Sequence, residues 1–215
     1  MAHPHSGPHA RPSKEPVVAG LLLAAGGGRR LGGRPKALLE HRGRPLVEHA
    51  VRVLRDGGCG PIHVVLGAAS DRVRERAELA GCVLVDNPDW EQGMGSSLRA
   101  GLESLAGTGA DAALVSLVDQ PGIGAAAVSR VRAAYGSRDA LAAAAYEGER
   151  GHPVLFGADH WKGVAASAVG DRGARAYLQE HAASVALIEC GDIAQAYDID
   201  TAEDLTHLEQ GRSGT

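Results

Sequence analysis

Two segments of this chain, residues 17–23 and 112–118, are apolar at almost every position; the first runs into Leu21-Leu22-Leu23-Ala24 and the second reads Ala-Ala-Leu-Val-Ser-Leu-Val. A strand with one wet face alternates polar and apolar side chains. A strand that is apolar on both sides therefore calls for helices packed on both faces of its sheet.

Further runs at 62–66, 82–85 and 185–188 read as strands. Helical periodicity marks about 45–55, 96–105, 125–135, 174–181 and 202–208, several of them opened by Pro, Ser, Asp or Thr. Strands alternating with helices predict an α/β chain: a three-layer α/β/α sandwich around a mainly parallel, Rossmann-like sheet. With 215 residues, 44% of them apolar, the chain can bury the core of one domain but not of two. The expected layout is one domain over 17–210. It is preceded by a disordered tail over 1–16, where four prolines and three histidines surround no apolar core.

Several classes of function are excluded early. A net charge of -4 with interleaved signs gives no basic stripe for a nucleic acid. Cys59, Cys82 and Cys190 are far apart and form no CxxC pair, so neither a disulfide framework nor a zinc site is indicated, and a reducing cytoplasm is the expected compartment. No apolar run approaches the roughly 20 residues of a membrane-spanning helix, and no membrane association is expected.

In doubly wound sheets ligands bind beyond the carboxyl ends of the strands, so the residues just after each strand carry the chemistry. After the first strand comes Ala24-Ala25-Gly26-Gly27-Gly28-Arg29-Arg30-Leu31-Gly32-Gly33-Arg34-Pro35-Lys36, whose glycines let backbone amides approach an anion. It fits neither GxGxxG, which fails at Leu31, nor Walker A, since Arg34-Pro35 follows Gly33. What remains is a long glycine loop with fixed cations at Arg30 and Lys36, suited to a triphosphate and its pyrophosphate leaving group; the alternative is a surface turn with solvated charges. Asp119 ends the strand at 112–118 and is the best candidate ligand for Mg²⁺. Asp198 and Asp200 share a side if their segment is extended, and Asp200 would complete the metal site. Alternatively, one of these carboxylates caps the helix expected near Ala202, a role Thr201 could equally take with Asp204. Residues 87–97, Asn-Pro-Asp-Trp-Glu-Gln-Gly-Met-Gly-Ser-Ser, offer amides and hydroxyls to a base or ribose, unless Ser96 is simply a helix cap.

Taken in order, LLLAAGGGRRLGGRPKALL, NPDWEQGMGSSLRAGL, VDQPG, GHPVLFG, GDRGAR and DIDTAEDL resemble the MobA-like nucleotidyltransferases, and most closely the molybdenum cofactor cytidylyltransferases, over residues 17–208. The resemblance implies a sheet of the nucleotide-diphospho-sugar transferase type. It also implies an enzyme that uses Mg²⁺ to transfer CMP from CTP to the phosphate of molybdopterin, releasing pyrophosphate. By the same resemblance Arg30, Lys36 and Asp119 are catalytic. Leu23, Ala24, Ala25, Gly26, Gly27, Gly28, Gly93, Gly95, Ser96 and Ser97 line the nucleotide with them. Asp119 and Asp200 hold the metal, and Gln120, His152 and Asp171 face the acceptor.

Ala25 stands where the guanylyltransferases of the group tend to carry glycine, which favours CTP over GTP. Gly28 stands where many relatives carry serine. A molybdoenzyme or its chaperone is the implied receiver of the product. The alternatives left open are a guanylyltransferase using GTP, a sugar-phosphate nucleotidyltransferase, and a non-catalytic module that delivers a cofactor. With aromatic residues at 3%, a pterin ring is expected to rest mostly on backbone and polar groups.

Overall fold

The computed structural model of the chain describes residues 15–210. Of the expected tail, 1–14 lie outside the described residues; Glu15 and Pro16 are exposed and belong to no regular element. In chain order the elements are β1 (Val18–Leu23), β2 (Glu40–His41), β3 (Arg44–Pro45), α1 (Leu46–Asp56), β4 (Ile62–Leu66), α2 (Ser70–Arg76), β5 (Cys82–Asp86), α3 (Met94–Ser104), β6 (Ala112–Leu117), α4 (Ala125–Arg132), β7 (Leu141–Tyr146), β8 (Glu149–Gly157), α5 (Trp161–Ser167), α6 (Arg175–Glu180), β9 (Val185–Glu189) and α7 (Leu205–Gln210).

The two all-apolar segments are neighbours at the centre of a seven-stranded sheet of order β5-β4-β1-β6-β8-β7-β9. β1 pairs in parallel with β4 and β6, β4 with β5, and β7 with β9; β8 alone runs antiparallel to both its neighbours. Period-two alternation divides β1 between the two faces. Val18 and Leu22 join the cluster formed with Leu46, Val47, Val51 and Leu54 of α1 and Val128 and Val131 of α4. Ala19, Leu21 and Leu23 join Leu98 and Leu102 of α3, Val164 of α5 and Leu178 of α6. Helices on both faces give the expected three-layer sandwich. Helix α3 lies close on the sheet because Gly101 has no side chain: a Cβ there would stand 2.6 Å from Leu21 Cδ1. Among the described residues no helix is long and apolar enough to cross a membrane.

The structure adds elements that the sequence reading passed over, chiefly α2, α5 and the β7–β8 hairpin. Strand β7, Leu-Ala-Ala-Ala-Ala-Tyr, is built mostly from a residue that favours helix, and β8 carries Pro153, which cannot donate to a ladder. The hairpin is closed by Glu147 and Gly148, with φ of 55° and 82°, the two positive values that a tight two-residue turn requires. Its register shifts between Ala143 and Ala145. The last helix starts at Leu205 rather than near Ala202. Of the capping box expected from Thr201 with Asp204 the reach-back half is present: Asp204 Oδ2 accepts from the amides of Asp200 and Thr201 at 2.9 and 2.7 Å, while the Thr201 hydroxyl donates to the same oxygen at 2.9 Å instead of accepting from an amide.

Leu22 is fully buried at the centre of this arrangement. Truncating it to alanine is expected to lower the unfolding free energy by about 2–5 kcal/mol, read as a shift of the urea midpoint. Truncating Val83, exposed on the edge strand β5, is expected to change it by no more than about 0.5 kcal/mol. Equal shifts in the two variants would contradict the assignment of the core.

Candidate active site

The glycine loop leaves the carboxyl end of β1 still paired to its neighbour: the Ala24 amide donates to Val65 O at 2.9 Å, and Ala25 O accepts from the Ala68 amide at 3.0 Å. It then turns at Gly28, whose φ of 62° lies in the left-handed region and whose carbonyl accepts from the amides of Leu31 and Gly33 at 2.8 and 3.0 Å. A Cβ on Gly28 would stand 1.9 Å from Arg34 O, so a serine does not fit this turn and the glycine is required by the local backbone. The short helical turns Arg29–Leu31 and Lys36–Leu38 then present the two cations on one side.

Those cations meet carboxylates from two distant parts of the chain. Lys36 Nζ lies 2.6 Å from Asp119 Oδ2 and 2.5 Å from Asp200 Oδ1, and Arg30 Nη1 lies 3.3 Å from Asp200 Oδ2. Asp119 sits just beyond β6, and the Ile199 amide donates to its carbonyl at 2.9 Å, which lays 198–200 alongside. Ile199 is fully buried, and the alternation turns Asp198 and Asp200 together into the cleft. Burial works against the Lys36 ammonium, but Asp119 and Asp200 outweigh it and hold its pKa above the ordinary value. Asp119 is pushed above the usual carboxylate range by burial, with Lys36 opposing and Asp198 adding to the shift.

The cleft has a volume of about 640 Å³, within the range of small-molecule sites. Of the residues singled out in the sequence, Leu23, Ala25, Gly26, Gly27, Gly28, Arg30, Lys36, Gly93, Ser97, Asp119, Asp171 and Asp200 line it together. Its far wall rests on Asn87, which is buried: Nδ2 donates to the hydroxyls of Ser96 and Ser97 at 2.8 and 3.0 Å, and Oδ1 accepts from the Asp89 amide at 3.0 Å. Gly93 is glycine for cause. Its φ is 98°, and a Cβ would meet Asp171 Oδ1 at 2.5 Å, so the 170–173 turn closes directly over it.

Other expected residues stand apart. Ala24 is packed in the core, and Gly95 is pressed against the backbone of Ala168, 2.8 Å from where its Cβ would be. Ser96 is buried, with its hydroxyl also 2.9 Å from Asp89 O and Gly93 O, so it braces the start of α3. Gln120 and His152 do not line the cleft, but Gln120 Nε2 donates to Asp198 Oδ1 at 2.7 Å, and His152 lies within the field of Asp198.

Three contributors went unassigned in the sequence: Asn87, Asp198 and Trp90. Asp198 was legible from its spacing to Asp200. Trp90 was not, because the contact depends on two glycines remote from it. Its ring reaches across the loop, 3.1 Å from a Cβ built on Gly27 and 2.8 Å from one on Gly67, and it brings an aromatic surface to a cleft expected to lack one.

Two carboxylates whose oxygens converge on a single ammonium form a place shaped for a cation. Among the described residues no group of three or more His, Cys, Asp or Glu closes a metal cage. Mg²⁺ is commonly held in this way, by one or two carboxylates with substrate phosphates and water completing its shell. Asp119 and Asp200 therefore fit a divalent metal that arrives with a nucleotide.

A sheet of this topology, with a glycine loop and paired carboxylates at its carboxyl edge, is an arrangement suited to a nucleotidyltransferase. Residues 20–185 match the MobA-like NTP transferase domain, and the chain belongs to that family. It is 42% identical over 200 residues to nicotine blue oxidoreductase of Paenarthrobacter nicotinovorans, covering 90% of this chain and 97% of that one. It is 30% identical over 139 residues to molybdenum cofactor guanylyltransferase of Shewanella amazonensis, covering 65% and 67%. The crystal structure of Rv0371c from Mycobacterium tuberculosis H37Rv is similar with a TM-score of 0.80 at 28% identity, covering 92% of this chain and 99% of that one. A complex of that protein with manganese gives 0.74 at 26%, covering 90% and 98%.

Two half-buried histidines tie this region to pH. Burial lowers His49 to about 4, with His41 adding to the shift and the Pro121 carbonyl opposing it; burial likewise lowers His152 to about 4 against the pull of Asp198. Both are neutral in the folded state, whereas the unfolded chain takes up protons near 6.5. Their contribution to stability is complete above about 6.5 and is lost as pH falls through about 4. The urea midpoint is expected to fall between pH 7 and pH 4.5, and to fall less in His49→Gln. A slope unchanged by that substitution contradicts the account.

Proposed function

We propose that the cleft transfers CMP from CTP to the terminal phosphate of molybdopterin, forming molybdopterin cytosine dinucleotide and pyrophosphate with Mg²⁺ as the metal. The observation that carries this reading is the Arg30–Asp200–Lys36–Asp119 cluster at the foot of the glycine loop. An oxygen of the acceptor phosphate forms a bond to the α-phosphorus as the bond to the bridging oxygen breaks, and the electron pair leaves on pyrophosphate. A phosphate monoester is already nucleophilic at neutral pH, so no strong general base is needed, and rate comes from positioning and charge.

Arg30 and Lys36 attract the triphosphate and stabilise the departing pyrophosphate. Asp119 and Asp200 would hold the metal, which would supply positive charge against the phosphate oxygens. The nucleoside runs along Ala25–Gly28 toward Trp90, Gly93 and Ser97, with Gly95 and Ser96 shaping that wall from behind. Asp171 reaches the acceptor directly, and Gln120 and His152 act on it through Asp198. The relative named molybdenum cofactor guanylyltransferase supports a pterin acceptor, and Ala25 supports CTP. The unpaired thiols and the lack of a spanning helix among the described residues support a cytoplasmic enzyme that hands its product to a molybdoenzyme or its chaperone.

One observation favours a second reading. The relative matched across 97% of its length is named an oxidoreductase, and a phosphate-binding loop also suits the pyrophosphate of a nicotinamide dinucleotide. The two readings part at Asp119. Transfer needs its carboxylate for the metal, whereas for hydride transfer that carboxylate only repels the dinucleotide.

With molybdopterin and Mg²⁺, pyrophosphate release is expected with CTP and not with GTP, ATP or UTP. Asp119→Asn is expected to lower it at least about 100-fold with an unchanged circular dichroism spectrum. Release with GTP alone would overturn the reading of Ala25. No release with any nucleotide, together with NADPH oxidation coupled to two-electron reduction of an added quinone-type dye and surviving Asp119→Asn, would establish the redox reading instead.

A further inference from the structure

The cations and carboxylates assigned above to different ligands are bonded to one another. Lys36 Nζ uses Asp119 Oδ2 and Asp200 Oδ1, while Arg30 takes the other oxygen, Oδ2, of Asp200. Two positive and two negative groups make a neutral set. The Lys36 and Asp119 side chains are only 15% and 19% exposed, so neither can be stripped of its partner cheaply. A carboxylate oxygen closed onto an ammonium at 2.5–2.6 Å has no room for a metal on that side, and an ammonium held by two carboxylates keeps only one N–H and little uncompensated charge for a phosphate.

We propose that Lys36, assisted by Arg30, is a resident cation that locks the site, so that divalent metal and nucleotide each bind weakly alone and strongly together. This inference rests on the assignment of the four side chains under the proposed function. A metal entering alone must evict the ammonium and leave it half-buried without a counter-ion. A nucleotide entering alone brings its phosphates against Asp119 and Asp200. Only joint entry leaves each of the four side chains facing an opposite charge, the metal replacing Lys36 and Arg30 on the carboxylates while the released cations turn to the triphosphate. By linkage the factor is the same whichever ligand enters first.

Each half of the lock can be opened separately and read with one ligand. Mn²⁺ binding to the full chain is measured from the electron paramagnetic resonance signal of the free ion, with no nucleotide present. Lys36→Met is expected to bind Mn²⁺ at least about fivefold more tightly than the unaltered protein, and Lys36→Arg, which keeps the positive charge, to stay near it. Lys36→Gln, which loses the charge but keeps a polar end, is expected to follow Lys36→Met and covers the case in which the methionine variant does not fold. CTP binding in EDTA is measured by calorimetry, and the double variant Asp119→Asn with Asp200→Asn is expected to gain a similar factor because its cations are free.

Mn²⁺ affinity unchanged in both Lys36→Met and Lys36→Gln overturns the lock, as does metal-free CTP binding that weakens in the double variant. Tighter Mn²⁺ binding by the lysine variants, with no nucleotide bound by any protein, upholds the lock on the metal side and removes the nucleotidyltransfer assignment instead.

Discussion

A lysine ammonium with little access to water, held between two carboxylates, is the interaction through which the functional end of this molecule is assembled. Lys36, Asp119 and Asp200 come from the loop after β1, the end of β6 and the extended segment before α7. A half-buried charge without a partner is costly, so each of these segments is held in place by the other two. The backbone supports the same junction, because the Ile199 amide donates to Asp119 O and buries Ile199 beneath the cleft. What makes the junction stable also makes it a candidate site: three groups that need ions as partners are gathered where a sheet of this topology opens to solvent.

The central half of the fold was legible because its signal is local. The apolar stretches at 17–23 and 112–118 became the adjacent central strands, and the alternation of strand and helix gave the layers and the mainly parallel sheet. The hairpin of β7 and β8 was hidden by composition. Its alanines speak for helix and Pro153 speaks against a strand, and only pairing with β6 and β9 overrides those tendencies.

Most of the site was legible for the same reason, since Arg30, Lys36, Asp119 and Asp200 follow strand ends or precede a helix. Residues whose role depends on distant contacts were not. Trp90 reaches the cleft across Gly27 and Gly67, and Ser96 was taken for a lining group although it is tied inward to Asn87, Asp89 and Gly93. The absence of serine at Gly28 acquires a physical reason only once the carbonyl of Arg34 is seen to occupy its space.

The family is thus written in the loop, the paired carboxylates and the sheet, while the substrate is written in the walls. Relatives as differently named as molybdenum cofactor guanylyltransferase and nicotine blue oxidoreductase match this chain, and the walls of its own cleft include Ala25, Trp90, Asp171 and Asp198. The central claim concerns the shared part and can be tested without knowing the acceptor. Crystals of the full chain soaked with Mn²⁺ and a non-hydrolysable CTP analogue should show an anomalous peak bound by Asp119 and Asp200, with Lys36 moved onto the triphosphate. A nucleotide seated outside this cleft, or a metal bound while Lys36 still bridges the two carboxylates, would contradict it.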